Sequence, residues 1–518
     1  MAFAQRIRSG SRYKWLVLVT VGLGILTSTV DGSITNIALP ELGRVFGVDP
    51  SIILWVSVAY LLASIGLMLT LGSLGDAIGR KQVFLTGFLV FGIGLIITPL
   101  STTLPMLLFG RVVQGIGQAM IIANGNALVV SAFPATERGR ALGMENAFVG
   151  VGLASGPPLG GFLLDLWGWQ SLFYTRAPFM AVFFVMGLLF LQNDRQEGRH
   201  MRFDFFGALA LFGFISAFLL LLNRGPRLGW TEPLIIGLGT IAVLSLIGFL
   251  YVESRSRMPV LEIHRGARML RERMPVLELS LFRSRLFSTA NAANALQFIS
   301  QGAIIILLPF FLLDGRGFTA SQAGLILITL PVVRLVIAPV AGWAADKVSS
   351  RIVATAGLIV MTGAYMGLRG VGIDTPVAIL ITLLLAEGAG SSIFGPGNNS
   401  AIMGAVPQSH LGTASGMIGT VRQISQATGI AVAGTLYAVI QGNEESRLLA
   451  SGVSTAEALP QSITTGFQDV LTVMVVTLVA AVIVSALRGP DPPQSAAGPR
   501  GRAGATEPQG AVPRQTAG

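Results

Sequence analysis

The sequence places an aspartate, Asp31, inside its first long apolar stretch and an arginine, Arg111, inside its fourth. Ionisable side chains at membrane depth are costly and mark ion or substrate pathways. Asp31 lies about sixteen residues past Lys14, or about 24 Å along a helix, and Arg111 about seven residues, or ~10 Å, in from the other side. The two depths match, which makes Arg111 the natural partner of Asp31. Burial favours the protonated form of a carboxylate and a nearby guanidinium favours the ionised form. A change in the Asp31–Arg111 distance would therefore take up or release a proton. A static structural ion pair is the alternative.

A second set lies in the C-terminal half. Glu387 falls near the middle of the twelfth stretch, with Arg422 in the thirteenth and Arg334 in the tenth at similar depth. Glu387 is either a second proton or substrate site or a locked partner of Arg422. Asn291, Asn294, Gln297 and Gln301 follow one face of the ninth stretch, where cavity lining and interhelical packing are both open. Glu145, near the start of the fifth, reads as a solvated end residue.

The elements that must position these groups are membrane helices. Of the 518 residues 52% are hydrophobic and 12% charged, against about 25% charged in a soluble domain. The apolar residues come in blocks of about twenty, which match a bilayer core and, with no water to satisfy the backbone, must be helical. Short alternating runs of the kind a β-barrel needs do not occur. Fourteen spans follow: roughly 15–38, 52–74, 82–101, 104–131, 140–164, 171–192, 203–223, 233–253, 286–313, 321–345, 352–371, 376–402, 412–440 and 467–487. The first is too long for a cleaved signal peptide and lacks a small-residue cleavage site.

Cysteine is absent, and the three histidines, His200, His264 and His410, are scattered over loops. Thiol chemistry, disulfides and a metal centre are therefore not expected. The net charge of +10 belongs to topology rather than to nucleic-acid binding. With the N-terminus inside, 25 lysines and arginines face the cytoplasm, 6 face outward and 4 lie within spans. That bias is the positive-inside signature and requires an even number of spans. Both termini are then cytoplasmic, in a cell membrane.

The loop at 254–285 holds a tandem copy, RMPVLE from Arg257 and again from Arg273. It reads as an insertion that lengthens a cytoplasmic loop, or as a helix lying on the membrane. A larger repeat is Gly72, Asp76, Gly79, Arg80 and Lys81 after span two, echoed by Gly342, Asp346, Lys347 and Arg351 after span ten. Two related halves are what many transporters are built from.

The Gly72–Lys81 segment resembles the loop signature of the major facilitator superfamily. In a cytoplasmic gate, the glycines let helix ends approach, Asp76 sits at the start of a helix, and Arg80 and Lys81 bridge to neighbouring helix ends. Asp346 would repeat the aspartate's role. Gly143, Gly152, Gly156, Pro157, Gly160 and Gly161 resemble the family's antiporter motif, a pattern that implies export. Their spacing leaves one helix face without side chains, and Pro157 permits a bend. Leu108–Gly117, with Arg111, Gln114, Gly115 and Gly117, resembles a third signature, whose arginine is tied to proton transfer. Asp31, Asn36 and Pro40 in span one, with Trp55 and Tyr60 in span two, complete a resemblance to the fourteen-helix drug:proton antiporter branch, from about residue 14 to 488. One departure stands out: Trp169, Phe173 and Pro178 match a branch motif, but Ser171 replaces its second tryptophan and Arg176 its asparagine.

The resemblance implies an all-α membrane protein of the major facilitator fold. The expected division is a cytoplasmic segment (1–14), a six-helix bundle (15–192), two linker helices (203–253), a cytoplasmic loop (254–285), a second six-helix bundle (286–487) and a disordered tail (488–518). Protons would couple at Asp31, Arg111 and Glu387. Substrate would meet Asp31, Asn36, Tyr60, Arg111, Gln114, Asn294, Gln297, Glu387 and Arg422. The implied activity is proton-driven export of amphiphilic drugs by a monomer, with no cofactor and no enzymatic step. Export of a native lipid, metabolite or siderophore is the alternative within transport. A non-transporting sensor is the alternative outside it. A nucleotide-binding loop is absent, so the proton gradient is the expected energy source.

Overall fold

A computed structural model describes residues 13–134, 137–192, 205–255, 260–264, 267–271, 279–406 and 411–489. The N-terminal half contains α1 (Tyr13–Ile37), α2 (Leu39–Phe46), α3 (Pro50–Ile53), α4 (Trp55–Ile78), α5 (Arg80–Ile97), α6 (Leu104–Ala132), α7 (Arg138–Trp167), α8 (Ser171–Tyr174) and α9 (Ala177–Phe190). Helices α10 (Phe205–Leu228) and α11 (Pro233–Arg255) follow. The C-terminal half contains α12 (Arg285–Phe310), α13 (Ala320–Leu327), α14 (Thr329–Lys347), α15 (Ser350–Arg369), α16 (Val377–Gly404), α17 (Leu411–Ala450) and α18 (Thr455–Leu487). Among the described residues thirteen spans, against the fourteen expected, are long and apolar enough to cross a membrane, and α10 carries a shorter apolar stretch, Leu209–Leu222.

The two halves repeat one packing scheme. In the N-terminal half α1 lies on α7, α4 on α6, and α5 on α6. In the C-terminal half α12 lies on α17, α14 on α16, and α15 on α16. These are the same first-on-fifth, second-on-fourth and third-on-fourth contacts, so the molecule is two pseudo-symmetric six-helix bundles. Small residues make the contacts close. Gly117 meets the backbone of Phe91, and Gly390, on the corresponding helix of the second half, meets that of Met361. The linker helix α10 touches both halves, on α4 and on α17, and the Phe212 ring sits over Gly66.

Local sequence explains the breaks. Thr319 and Gln322 form a capping box at the start of α13, which satisfies otherwise orphaned backbone donors. Gly47 ends α2 with φ of 61°, a left-handed conformation that suits glycine. Pro309 near the end of α12 precedes a π turn at Phe311–Gly315, consistent with the hydrogen bond that proline removes.

Three features differ from the sequence reading. Helices α17 and α18 continue to Ala450 and start again at Thr455, well past the apolar runs, because Asn443–Ala450 and Thr455–Gln461 form helix without being apolar. The 254–285 loop carries no described helix beyond the end of α11 and a short turn at Leu279–Arg283. Instead, strands β1 (Val260–His264) and β2 (Ala267–Arg271) form an antiparallel hairpin, with Val260 opposite Arg271. Arg488, counted with the tail, is fully buried. It donates to Asn398 Oδ1 at 3.1 Å and to the Ser350 carbonyl at 2.6 Å. Residues 490–518, where the tail was expected, lie outside the described residues.

Candidate functional site

Asp31 is completely buried in α1. Arg111, projecting from α6, places Nη1 2.7 Å from Asp31 Oδ2. The same guanidinium donates through Nε to the Val56 carbonyl at 3.1 Å and through Nη1 to Gln114 Oε1 at 2.5 Å. Its carbon lies 4.2 Å from the centre of the Tyr60 ring, a favourable face for a cation. The Tyr60 hydroxyl donates to the Ser28 carbonyl at 3.0 Å. Asn36, one turn along α1, accepts from the Ser57 hydroxyl at 2.9 Å.

A second arginine shares the aspartate. Arg176, at the start of α9, pairs through Nη1 with Asp31 Oδ1. It is fixed by a 2.5 Å bond from Nε to the Leu172 carbonyl and lies against the Phe173 ring. The sequence marked Arg176 only as a departure from a motif. Its approach to Asp31 depends on how α8 and α9 fold back over α1, and no local pattern encodes that. Two donors stay unpartnered here, Arg176 Nη2 and Gln114 Nε2.

In the C-terminal half Glu387 is also completely buried, and its partner is Arg334 rather than Arg422. Arg334 Nη2 lies 3.2 and 3.3 Å from the two carboxylate oxygens. Gln301, with its amide oxygen turned to the guanidinium, accepts from Arg334 Nη1 at 2.9 Å. Gln297 donates to the Ser391 hydroxyl at 3.3 Å, while Gln297 Oε1 and Asn294 Nδ2 stay unpartnered. Arg422 is exposed although protein surrounds it. It makes no hydrogen bond or ion pair among the described residues.

Glu145 is a correction. It is buried on α7, not solvated, and neither carboxylate oxygen has a partner. It lies on the α7 face that packs on α1, where Phe148 covers Gly22 and Gly152 meets the Leu26 carbonyl.

The loop signature ties helix ends together within the N-terminal half. Lys81 donates to the Leu188 and Leu191 carbonyls at 3.0 and 2.6 Å, and Arg80 to the Ala127 carbonyl at 3.4 Å. Gly79 joins α4 to α5 with φ of 115°, a conformation that strains other residues. Gly72 approaches Ala123 of α6. The side chains of Asp76 and Asp346 and the surroundings of Gly143 lie outside the described residues.

The glycine series of α7 divides between two neighbours. Gly152, Gly156 and Gly160 abut α1 at Leu26, Ser33 and Ile34. Gly161 abuts the backbone of Ala320, and Gly324 returns the contact on the backbone of Pro157. These last contacts join the two halves, with Pro157 inside α7. Nearby, Asp165 accepts from the backbone N–H groups of Ala320 and Ser321 at 3.1 and 2.8 Å, a carboxylate on the N-terminus of α13. Arg44 pairs with Asp314 across the same boundary. All four contacts lie at the end of the molecule opposite Lys14, Arg80 and Arg138, so the halves are shut together there.

The family model described as the Major Facilitator Superfamily matches residues 21–270 and 290–515. The chain belongs to the major facilitator superfamily. Among curated members of this superfamily, a riboflavin transporter of Clostridioides difficile is 31% identical over 82% of this chain and 89% of its own length. A multidrug resistance protein of Mycobacterium tuberculosis is 30% identical over 83% and 76%. A tetracenomycin C resistance and export protein of Streptomyces glaucescens is 27% identical over 82% and 76%. The fold matches a bacterial homologue of the human lysosomal transporter Spinster, with a TM-score of 0.64 at 17% identity, covering 93% of this chain and 98% of that one. This superfamily member is a multi-pass membrane transporter and not an enzyme.

Proposed function

We propose that the chain exports amphiphilic small molecules from the cell in exchange for protons. The two halves rock about a central site, and Asp31 is the principal proton carrier. The observation that carries this reading is the fully buried Asp31 carboxylate held between Arg111 of α6 and the Arg176 guanidinium. A carboxylate so placed keeps its charge only while its cations stay close. Any rearrangement that withdraws one of them favours protonation, and alternating access supplies such a rearrangement.

The seal at the Arg44–Asp314 end supports one half of that cycle, the state closed at that end. The excess of basic residues supports a cytoplasmic location for the opposite end. Pro157 and Gly161 of the α7 series lie on the boundary that must open and reclose, which supports export. Relatives named for multidrug and tetracenomycin resistance support an organic cargo, and the riboflavin transporter supports widening that cargo to native metabolites.

The test is a susceptibility panel in an efflux-deficient bacterial host. The intact chain should raise tolerance to a subset of amphiphilic compounds, and Asp31→Asn should abolish the gain at equal membrane expression. Equal protection by both proteins would exclude Asp31 as the coupling residue.

A further inference from the structure

At mid-depth in the bundle the charges do not balance. Of the 35 lysines and arginines, four lie well inside the spans, and all four are arginines: Arg111, Arg176, Arg334 and Arg422. Three buried carboxylates oppose them, and one of these, Glu145, has no partner among the described residues. Asp31 is taken by Arg111 and Arg176, and Glu387 by Arg334. Four cations against three acids leave an excess of at least one positive charge. Protonating any of these acids makes the interior more positive, so the sign holds through the whole cycle.

Arg422 is where the excess is accessible. It is exposed while surrounded by protein, and no described carboxylate meets it. A guanidinium at this depth is costly unless it is paired or faces a watery cavity on a transport pathway. On the other half, the Arg176 Nη2 and Gln114 Nε2 donors are buried and unpartnered. Of the unpartnered acceptors, Gln297 Oε1 and Asn291 Oδ1 are neutral amides, which do not select a cation. Both halves thus offer spare N–H donors, and the buried carboxylate without a partner among the described residues, Glu145, lies on the α7 face that packs on α1.

We infer that the cargo is an anionic amphiphile, whose carboxylate, sulfonate or phosphate docks on Arg422 in the cavity between the halves. This rests on the carrier reading above and fixes the charge of its substrate. The planar guanidinium suits such groups because it presents two parallel N–H donors to two oxygens. Cationic compounds gain nothing there, since each mid-depth acid already has an arginine. An inside-negative membrane potential would also drive an anion outward, adding to whatever the proton exchange supplies.

The experiment is equilibrium binding to the purified full chain in nanodiscs of zwitterionic lipid, with empty nanodiscs subtracted. The probes are two fluorescent amphiphiles of opposite charge, anilinonaphthalene sulfonate and ethidium. The intact protein should bind the sulfonate more tightly. Arg422→Gln should weaken sulfonate binding about ten-fold or more, the scale of a lost charge-assisted contact, and leave ethidium unchanged. Arg422→Lys should keep part of the sulfonate affinity. Tighter binding of ethidium by the intact protein, or unchanged sulfonate binding in Arg422→Gln, would overturn the proposal. If Arg422→Gln does not fold, the intact protein's preference and the lysine variant still decide. Binding needs no gradient, so a failure of proton coupling leaves this result standing.

Discussion

The Arg176 guanidinium meets Asp31 Oδ1 across 145 positions of sequence. Asp31 therefore has two cationic partners, and the two are not equivalent. Arg111 also holds the Val56 carbonyl, Gln114 and the Tyr60 ring, so it ties α1, α4 and α6 into one unit. Arg176 ties only the α8–α9 corner to α1.

Arg176→Gln should accordingly cost about 1.5–3 kcal/mol, the scale of one hydrogen bond to a charged group. Arg111→Gln should cost clearly more. Thermal unfolding in detergent, followed by tryptophan fluorescence, ranks the two variants. The reverse order would show that Arg176 is the principal clamp.

Glu387 has a single cationic partner, which gives a sharp double-mutant test. Arg334→Ala should destabilise by about 3–5 kcal/mol, because it leaves a buried carboxylate uncompensated. Adding Glu387→Gln should recover a large part of that loss, since the amide carries no charge to strand. Additive losses in the double variant would mean that the two side chains are not coupled.

Glu145 lies two residues before the apolar span of α7 begins at Ala147, and burial pushes its carboxyl from an ordinary 4.5 up to about 7. The folded protein then holds this proton over a range where the unfolded chain has lost it. The stability it contributes is full below about pH 4.5 and is lost as pH rises through about 7. The melting temperature should fall across that window, by an amount on the order of 3 kcal/mol in stability. Glu145→Gln should flatten the slope, and an unchanged slope would place the titration elsewhere.

The chain has no native cysteine, so a designed pair gives a clean readout of the closed end. Arg44→Cys with Asp314→Cys should be bridged by a short bis-maleimide. Bridging should stop transport in vesicles, while either single variant labels without loss. The exposed ion pair itself contributes little, about 0–1 kcal/mol, so Arg44→Ala should transport at close to the normal rate.

Much of this architecture is readable in the chain because membrane helices announce themselves. Twenty apolar residues admit one backbone solution, and the Gly72–Lys81 and Gly342–Arg351 segments mark the two halves. The Asp31–Arg111 pairing follows from depth alone, since both helices cross the same slab. Depth did not distinguish Arg334 from Arg422 as the partner of Glu387, because both lie at its level and only packing around the bundle axis separates them. Glu145 looked solvated because it sits near a helix end, yet its face of α7 is pressed on α1. The extensions of α17 and α18 carry no hydropathy signal because they form helix without being apolar. Arg176 needed the tertiary fold of the α8–α9 corner.

The most direct measurement of the central claim is proton movement in vesicles that hold the purified chain and a pH-sensitive dye inside. Adding a transported compound should collapse an imposed pH gradient with the intact protein and leave it standing with Asp31→Asn, while compound binding persists in both. A pH gradient that the compound collapses equally in Asp31→Asn would contradict the assignment of Asp31 as the proton carrier.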